Sequence, residues 1–131
     1  MAAFEVSVYG RFWVSTEDST SPRLDHVRIP KDIPTFFRGP IEFVGPGIVG
    51  ISLMDEARLE ERIRLARRAG SAVGHVWRIP RGVPVPVGLV IRPDPRDKSH
   101  LLAGPSEPMP LERFKGLLLQ LAASAIYIGR K

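Results

Sequence analysis

Residues 80–110 read PRGVPVPVGLVIRPDPRDKSHLLAGPSEPMP and run directly into LERFKGLLLQLAASAI at 111–126. The first stretch holds eight prolines and the second none. A proline lacks the amide donor and clashes with the preceding helical turn, so 80–110 has to be built from extended or turning chain. The following segment places Leu111, Phe114, Leu118, Leu121 and Ala125 on one helical face behind Pro110, a residue suited to the first helical position. The spacing therefore predicts a core helix opening at Pro110 and reaching about Ile126.

Working outward, five more prolines fall within 22–46 and none within 47–79. That distribution excludes a helical bundle, and a 44% hydrophobic, 25% charged composition excludes a disordered chain. The proline-free interval predicts a second helix from Ser52-Leu53-Met54-Asp55, a capping-box-like start, through about Ala69. On it Leu59, Ile63 and Ala66 share a face, Glu60 and Arg64 are spaced to pair, and Arg67 and Arg68 suit the negative end of the helix dipole. Gly70 stands where a left-handed stop is expected. Strands are predicted over 4–14, once or twice within 36–53, and over Val73–Ile79, Leu89–Ile91 and Ser99–Ala103. Residues 15–35 read as a polar connection, and Pro84 and Pro86 impose an extended path without ladder donors. The expectation is one α+β domain over 1–131, with a small mixed or antiparallel sheet and two main helices.

The totals bound function only loosely. The 131-residue chain has no cysteine, which excludes disulfides, thiolate zinc sites and a cysteine nucleophile. Its net charge of +5 suits a polyanion, a nucleotide phosphate or an acidic protein surface, although an arginine-rich codon bias gives the same sum. No basic segment followed by a long apolar run stands at the N-terminus, and no apolar stretch approaches the roughly 20 residues of a membrane helix. These features predict a soluble, cytoplasmic chain without a signal peptide. Phosphate-loop, dinucleotide-fingerprint and zinc-protease motifs are absent, and His26, His75 and His100 are too scattered to define a site by spacing. Gly50-Ile51-Ser52-Leu53-Met54 has half of a nucleophile elbow; Ser52 as a helix cap is the ordinary alternative.

One resemblance extends this reading. The run Ile79-Pro80-Arg81-Gly82 through Leu89-Val90-Ile91, then Asp94, Ser99-His100, Gly104-Pro105, Pro108-Met109 and the final helix, resembles the C-terminal part of type VI secretion effector toxins classed with ADP-ribosyltransferases. Gly50-Ile51-Ser52-Leu53-Met54-Asp55 is similar to that family's Gly-Thr-Ser-apolar-apolar-Asp stretch, and Val8-Tyr9-Gly10-Arg11 to its opening apolar-Tyr-Arg. The resemblance implies an antibacterial toxin with an ADP-ribosyltransferase-like fold that takes NAD as substrate, modifies an intracellular target and is neutralised by an immunity protein. By position it assigns Arg11 to a dinucleotide phosphate, Ser52 to the nicotinamide ribose, Gly50 with Gly45 and Gly47 to close approach of the dinucleotide, and His100 to substrate hydrogen bonding or fold closure. Ile51 stands for the family's threonine, Leu101 for its tyrosine, and Gly10 separates Tyr9 from Arg11. Such a transferase also wants a glutamate beside the oxocarbenium-like transition state; Glu42, Glu56 and Glu107 are candidates, and the pattern selects none. A small basic ribonuclease toxin acting on RNA, drawing on His75 or His100 with Glu42 or Glu107, and a non-enzymatic protein-binding module are the alternatives.

Overall fold

A computed structural model describes residues 11–15, 27, 29–54, 56–71, 75–80 and 82–130. The chain order is β1 (Arg11–Ser15), β2 (Thr35–Arg38), β3 (Ile41–Val44), β4 (Ile51–Met54), α1 (Glu56–Arg68), β5 (His75–Ile79), β6 (Leu89–Asp94), β7 (Asp97–Pro105), β8 (Met109–Pro110), α2 (Leu111–Ala122) and β9 (Ile126–Arg130). Six strands form an antiparallel sheet in the order β6-β7-β4-β1-β5-β9, and β2-β3-β8 form a second antiparallel sheet. The architecture is α+β, as the proline distribution requires.

Alternation along each strand divides the large sheet into two faces. Ile51, Leu53, Trp77, Ile79, Leu89, Ile91, Leu101 and Ala103 point to one side and join Val44, Met109, Leu111, Phe114, Leu118 and Leu121 in the main core. That side is covered by α2 and the three-stranded sheet. Phe114 and Leu118 are completely buried there, so α2 has the central role that its apolar stripe predicts. The other side is covered in part by α1, whose Leu59 and Ile63 pack on Val76. Of the predicted α1 face, Leu59 is buried while Ile63 and Ala66 are half-buried. Gly70 ends α1 at φ +69, with Ser71 N–H donating to the Ala66 carbonyl at 2.9 Å.

Three expectations are corrected. Ser52 does not cap a helix: Ile51–Met54 is a strand paired with β7, and α1 begins at Glu56. The apolar, buried character of β-branched Ile51 and of Leu53, aligned with Ala103 and Leu101, outweighs the capping pattern. Second, α2 ends at Ala122 rather than near Ile126, leaving Ala125 half-buried against the core, outside the helix. Third, Ile126–Arg130 forms β9 on β5, where the Tyr127 and Trp77 rings lie 4.9 Å apart. Unpaired backbone on β5 and two β-branched residues around Tyr127 favour a strand there. The strands predicted at Leu89–Ile91 and Ser99–Ala103 extend to Asp94 and Pro105, and Pro93 is accommodated because β6 is an edge strand. Of the first predicted strand only 11–14 fall within the described residues; Tyr9, Gly10, Asp55 and Val73 lie outside them.

At Gly50 the chain entering β4 comes very close to β7. Gly50 adopts φ +131, and a Cβ there would overlap the Ala103 carbonyl, while one on Gly104 would lie 2.6 Å from the Val49 carbonyl oxygen. Gly50 N–H also donates to the Asp32 carbonyl at 2.8 Å. Gly50→Ala is therefore expected to cost at least about 1–3 kcal/mol through backbone strain alone. Denaturant unfolding measures it; an unchanged midpoint contradicts this packing.

Candidate functional site

The registers of β1, β4 and β7 set the positions of the residues singled out in the sequence. Ser52 pairs with Leu102 and Met54 with His100, while Phe12 pairs with Met54. Ser52, Met54, Leu102 and His100 therefore share the face that carries α1, opposite the main core. Ser52 and His100 are diagonal neighbours on adjacent strands, a placement that in an antiparallel sheet separates Cα atoms by about 7–8 Å. Arg11 occupies the next strand, in register with Ile79 and one residue before Phe12. Arg11, Ser52 and His100 thus come from three adjacent strands, but the register puts Arg11 on the face of Ile79 and the main core, opposite Ser52 and His100.

The departures from the family pattern follow the same division. Ile51 and Leu101, in the positions of the family's threonine and tyrosine, both lie in the main core. Both of these positions, to which the resemblance gives a hydroxyl, thus face the packed core here, while Ser52 and His100 lie on the other face. Gly50, expected to admit a dinucleotide, is occupied by the close approach of Ala103 and Gly104.

The three glutamates are separated by topology. Glu42 lies in β3 and accepts a hydrogen bond from Thr35 Oγ1 at 2.6 Å, on the side of the three-stranded sheet. Glu107 precedes β8 and pairs at 3.9 Å with Arg113 of α2, on that side as well. Glu56 is the first residue of α1, two positions after Met54. Among these candidates the backbone path brings Glu56 to the face of Ser52 and His100.

A cavity of about 200 Å³ opens along this face, bounded by Gly47, Ile48 and Val49 on one side and by Val90, Arg92, Leu102 and Gly104 on the other. Arg92 and Leu102 are register partners, as are Leu102 and Ser52, so Arg92, Leu102 and Ser52 form one row across β6, β7 and β4. The exposed Arg92 guanidinium makes no ion pair with the described residues, and the cavity is otherwise walled by apolar side chains and proline.

At the end of β6 the register slips, from Pro93 opposite Leu101 to Asp94 opposite Asp97. Asp94 is 3% exposed and collects four contacts. Its Oδ1 accepts from Arg96 N–H at 2.9 Å and Arg96 Nε at 2.8 Å, and its Oδ2 from Arg96 Nη2 at 3.0 Å. Nδ1 of His100 lies 3.0 Å from the same Oδ2, with the His100 side chain 25% exposed. The side-chain hydrogen bonds from Arg96, aided by its backbone N–H, hold the Asp94 carboxyl well below the usual carboxylate range, against the opposing effect of burial. In the sequence Asp94 is only part of the resembling run; Asp-Pro-Arg is a turn former, and its contact with His100 depends on the slipped register. Among the described residues no group of three His, Cys, Asp or Glu is placed to hold a metal, and no helix is long and apolar enough to cross a membrane.

The chain matches the family model of the Tse2 ADP-ribosyltransferase toxin over residues 14–127 and belongs to that family. None of the curated proteins and none of the solved structures matches it.

The depressed pKa has a signed consequence for stability. A carboxylate that titrates lower in the folded than in the unfolded chain contributes stability that is complete above its unfolded pKa, near 3.9. That contribution is lost as the pH falls below this value toward the folded pKa. Asp94→Asn is thus expected to lower the thermal midpoint at neutral pH and to flatten its fall below about pH 4. Parallel acid limbs for the two proteins in thermal melts contradict the assignment.

Proposed function

We propose that the α1 face of the six-stranded sheet binds NAD and transfers its ADP-ribosyl group to an intracellular target. The observation that carries this reading is the placement of Ser52 and His100 as neighbours on one face, in a chain of the ADP-ribosyltransferase toxin family. Transfer breaks the bond between nicotinamide and C1′ of the ribose. The leaving ring takes the bonding electron pair and departs neutral, while a nucleophile of the target bonds to C1′. The Ser52 hydroxyl orients the nicotinamide ribose. Glu56, entering the same face at the start of α1, stabilises the positive charge that develops on the sugar. Arg11, expected to hold a phosphate, falls by register on the face of Ile79 and the main core, so the phosphate contact on the α1 face goes to Arg92, and Gly50 keeps the β4 entry tight.

The cavity beside Arg92 supports the same reading. Its volume of about 200 Å³ and apolar walls suit one planar ring of the dinucleotide, with a guanidinium at its rim for the adjoining pyrophosphate. As a member of a toxin family, the protein acts in the cytoplasm of a cell that receives it, after delivery by type VI secretion, and the producing cell is protected by an immunity protein. Nucleic acid has no part in this reading.

The purified protein is expected to release nicotinamide from NAD, alone or with a bacterial lysate supplying acceptors. Ser52→Ala and Glu56→Gln should each lower kcat by roughly 10²-fold or more while leaving the fold intact. Arg92→Ala should raise the Kd for NAD by roughly tenfold, the value of one lost charge-assisted contact of about 1.5 kcal/mol. Absence of NAD binding and of nicotinamide release at millimolar NAD contradicts the proposal, as does full activity of both Ser52→Ala and Glu56→Gln.

A further inference from the structure

The cluster at the β6–β7 turn is more fully connected than the turn itself demands. Arg96 closes the turn with three hydrogen bonds to Asp94, and His100, six residues further along, occupies the remaining approach to Oδ2. The register slip after Pro93 brings the two together: Pro93 is opposite Leu101, yet Asp94 is opposite Asp97, and β7 residues 98–100 bulge between these pairs.

The chemistry of this contact assigns a proton. An ionised carboxylate only accepts hydrogen bonds, and Arg96 keeps Asp94 ionised, so the 3.0 Å contact has His100 Nδ1–H as donor. In the neutral imidazole Nε2 is then the unprotonated nitrogen. Among the described residues, the other charged groups in ion pairs around this turn are Arg96 and the Asp97–Arg58 pair, whose guanidinium comes from α1 at 3.8 Å. From β4 the register partner of His100 is the apolar Met54. Asp94 is thus the one carboxylate in direct contact with the ring among the described residues.

We infer that Asp94 is a positioning residue for His100, holding the ring in the Nδ1–H tautomer so that Nε2 accepts the proton of the nucleophile during ADP-ribosyl transfer. This inference rests on the proposed transferase site. As the acceptor's oxygen or nitrogen bonds to C1′ and neutral nicotinamide leaves, the acceptor's proton passes to Nε2. The imidazolium that results is stabilised by the Asp94 carboxylate on its opposite edge. Asp94 touches neither substrate nor reacting atoms, and its effect passes through the ring of His100.

The test joins a spectroscopic readout to a kinetic one. Long-range ¹H–¹⁵N correlation spectra of the ¹⁵N-histidine-labelled full chain, with His100 assigned by its loss in His100→Gln, report the tautomer at a pH where the ring is neutral. The wild type is expected to show the Nδ1–H form. In Asp94→Asn, whose amide can donate as well as accept, that form should lose its dominance. Nicotinamide release by the variant should then fall by roughly 10²-fold or more in kcat, with KM for NAD within about threefold. An Nε2–H tautomer in the wild type overturns the inference without any variant, so a poorly folded Asp94→Asn does not shield it. Wild-type tautomer and turnover in a folded Asp94→Asn overturn it equally. A wild type that shows Nδ1–H but releases no nicotinamide overturns the transferase reading and the proton-transfer role with it. A protein that releases nicotinamide with His100 in the Nε2–H form overturns the pairing alone, so the two failures are read separately.

Discussion

Where β4 leaves the 47–49 loop, its backbone lies so close to the Ala103 carbonyl that only glycine fits at position 50. Gly104, facing the Val49 carbonyl from the other strand, completes the contact. Two side-chain-free residues let β4 seat against β7 in one register, and that register determines everything across the middle of the sheet. A slip of one residue would exchange the faces, turning Leu53 and Leu101 out of the core and Ser52 and His100 into it. The burial of Ile51, Leu53, Leu101 and Ala103 makes such a slip costly, so the core itself holds the candidate site in place.

The two faces carry different tasks. The α2 side is sealed by the three-stranded sheet and by residues buried to completion, such as Phe114, Ile79 and Leu118. The α1 side is shorter of cover: α1 lies over one end, while a cavity edged by Arg92 opens along β6 and β7. Ile51 and Leu101 lie on the sealed side, and Ser52 and His100 on the open one.

Both helices and the α+β class are legible in the amino-acid pattern because proline excludes helix from long stretches and apolar periodicity marks the two that remain. Gly70 and the α1 face are read correctly for the same local reasons. What the pattern misses depends on contacts remote in sequence. Ser52 followed by Leu53-Met54-Asp55 looks like a cap, but strand pairing with Leu102 decides its structure. The apolar stripe of α2 runs on through Ile126, and only the open edge of β5 makes that residue part of β9. Ser52 and His100 are picked out by resemblance; their adjacency comes from the β4–β7 register. The contact of Asp94 with His100 arises from a register slip that no local pattern announces, and the preference for Glu56 over Glu42 and Glu107 arises from the order of layers.

The central claim is that the α1 face, not the α2 face, receives the dinucleotide. Amide chemical-shift mapping with a non-hydrolysable NAD analogue tests it most directly. The account predicts shifts that saturate together and fall on 47–54, 90–92 and 100–104, with the amides of Glu42, Glu107 and the β2–β3 hairpin unmoved. Shifts concentrated on the hairpin and the α2 side, or none at millimolar analogue, would contradict it.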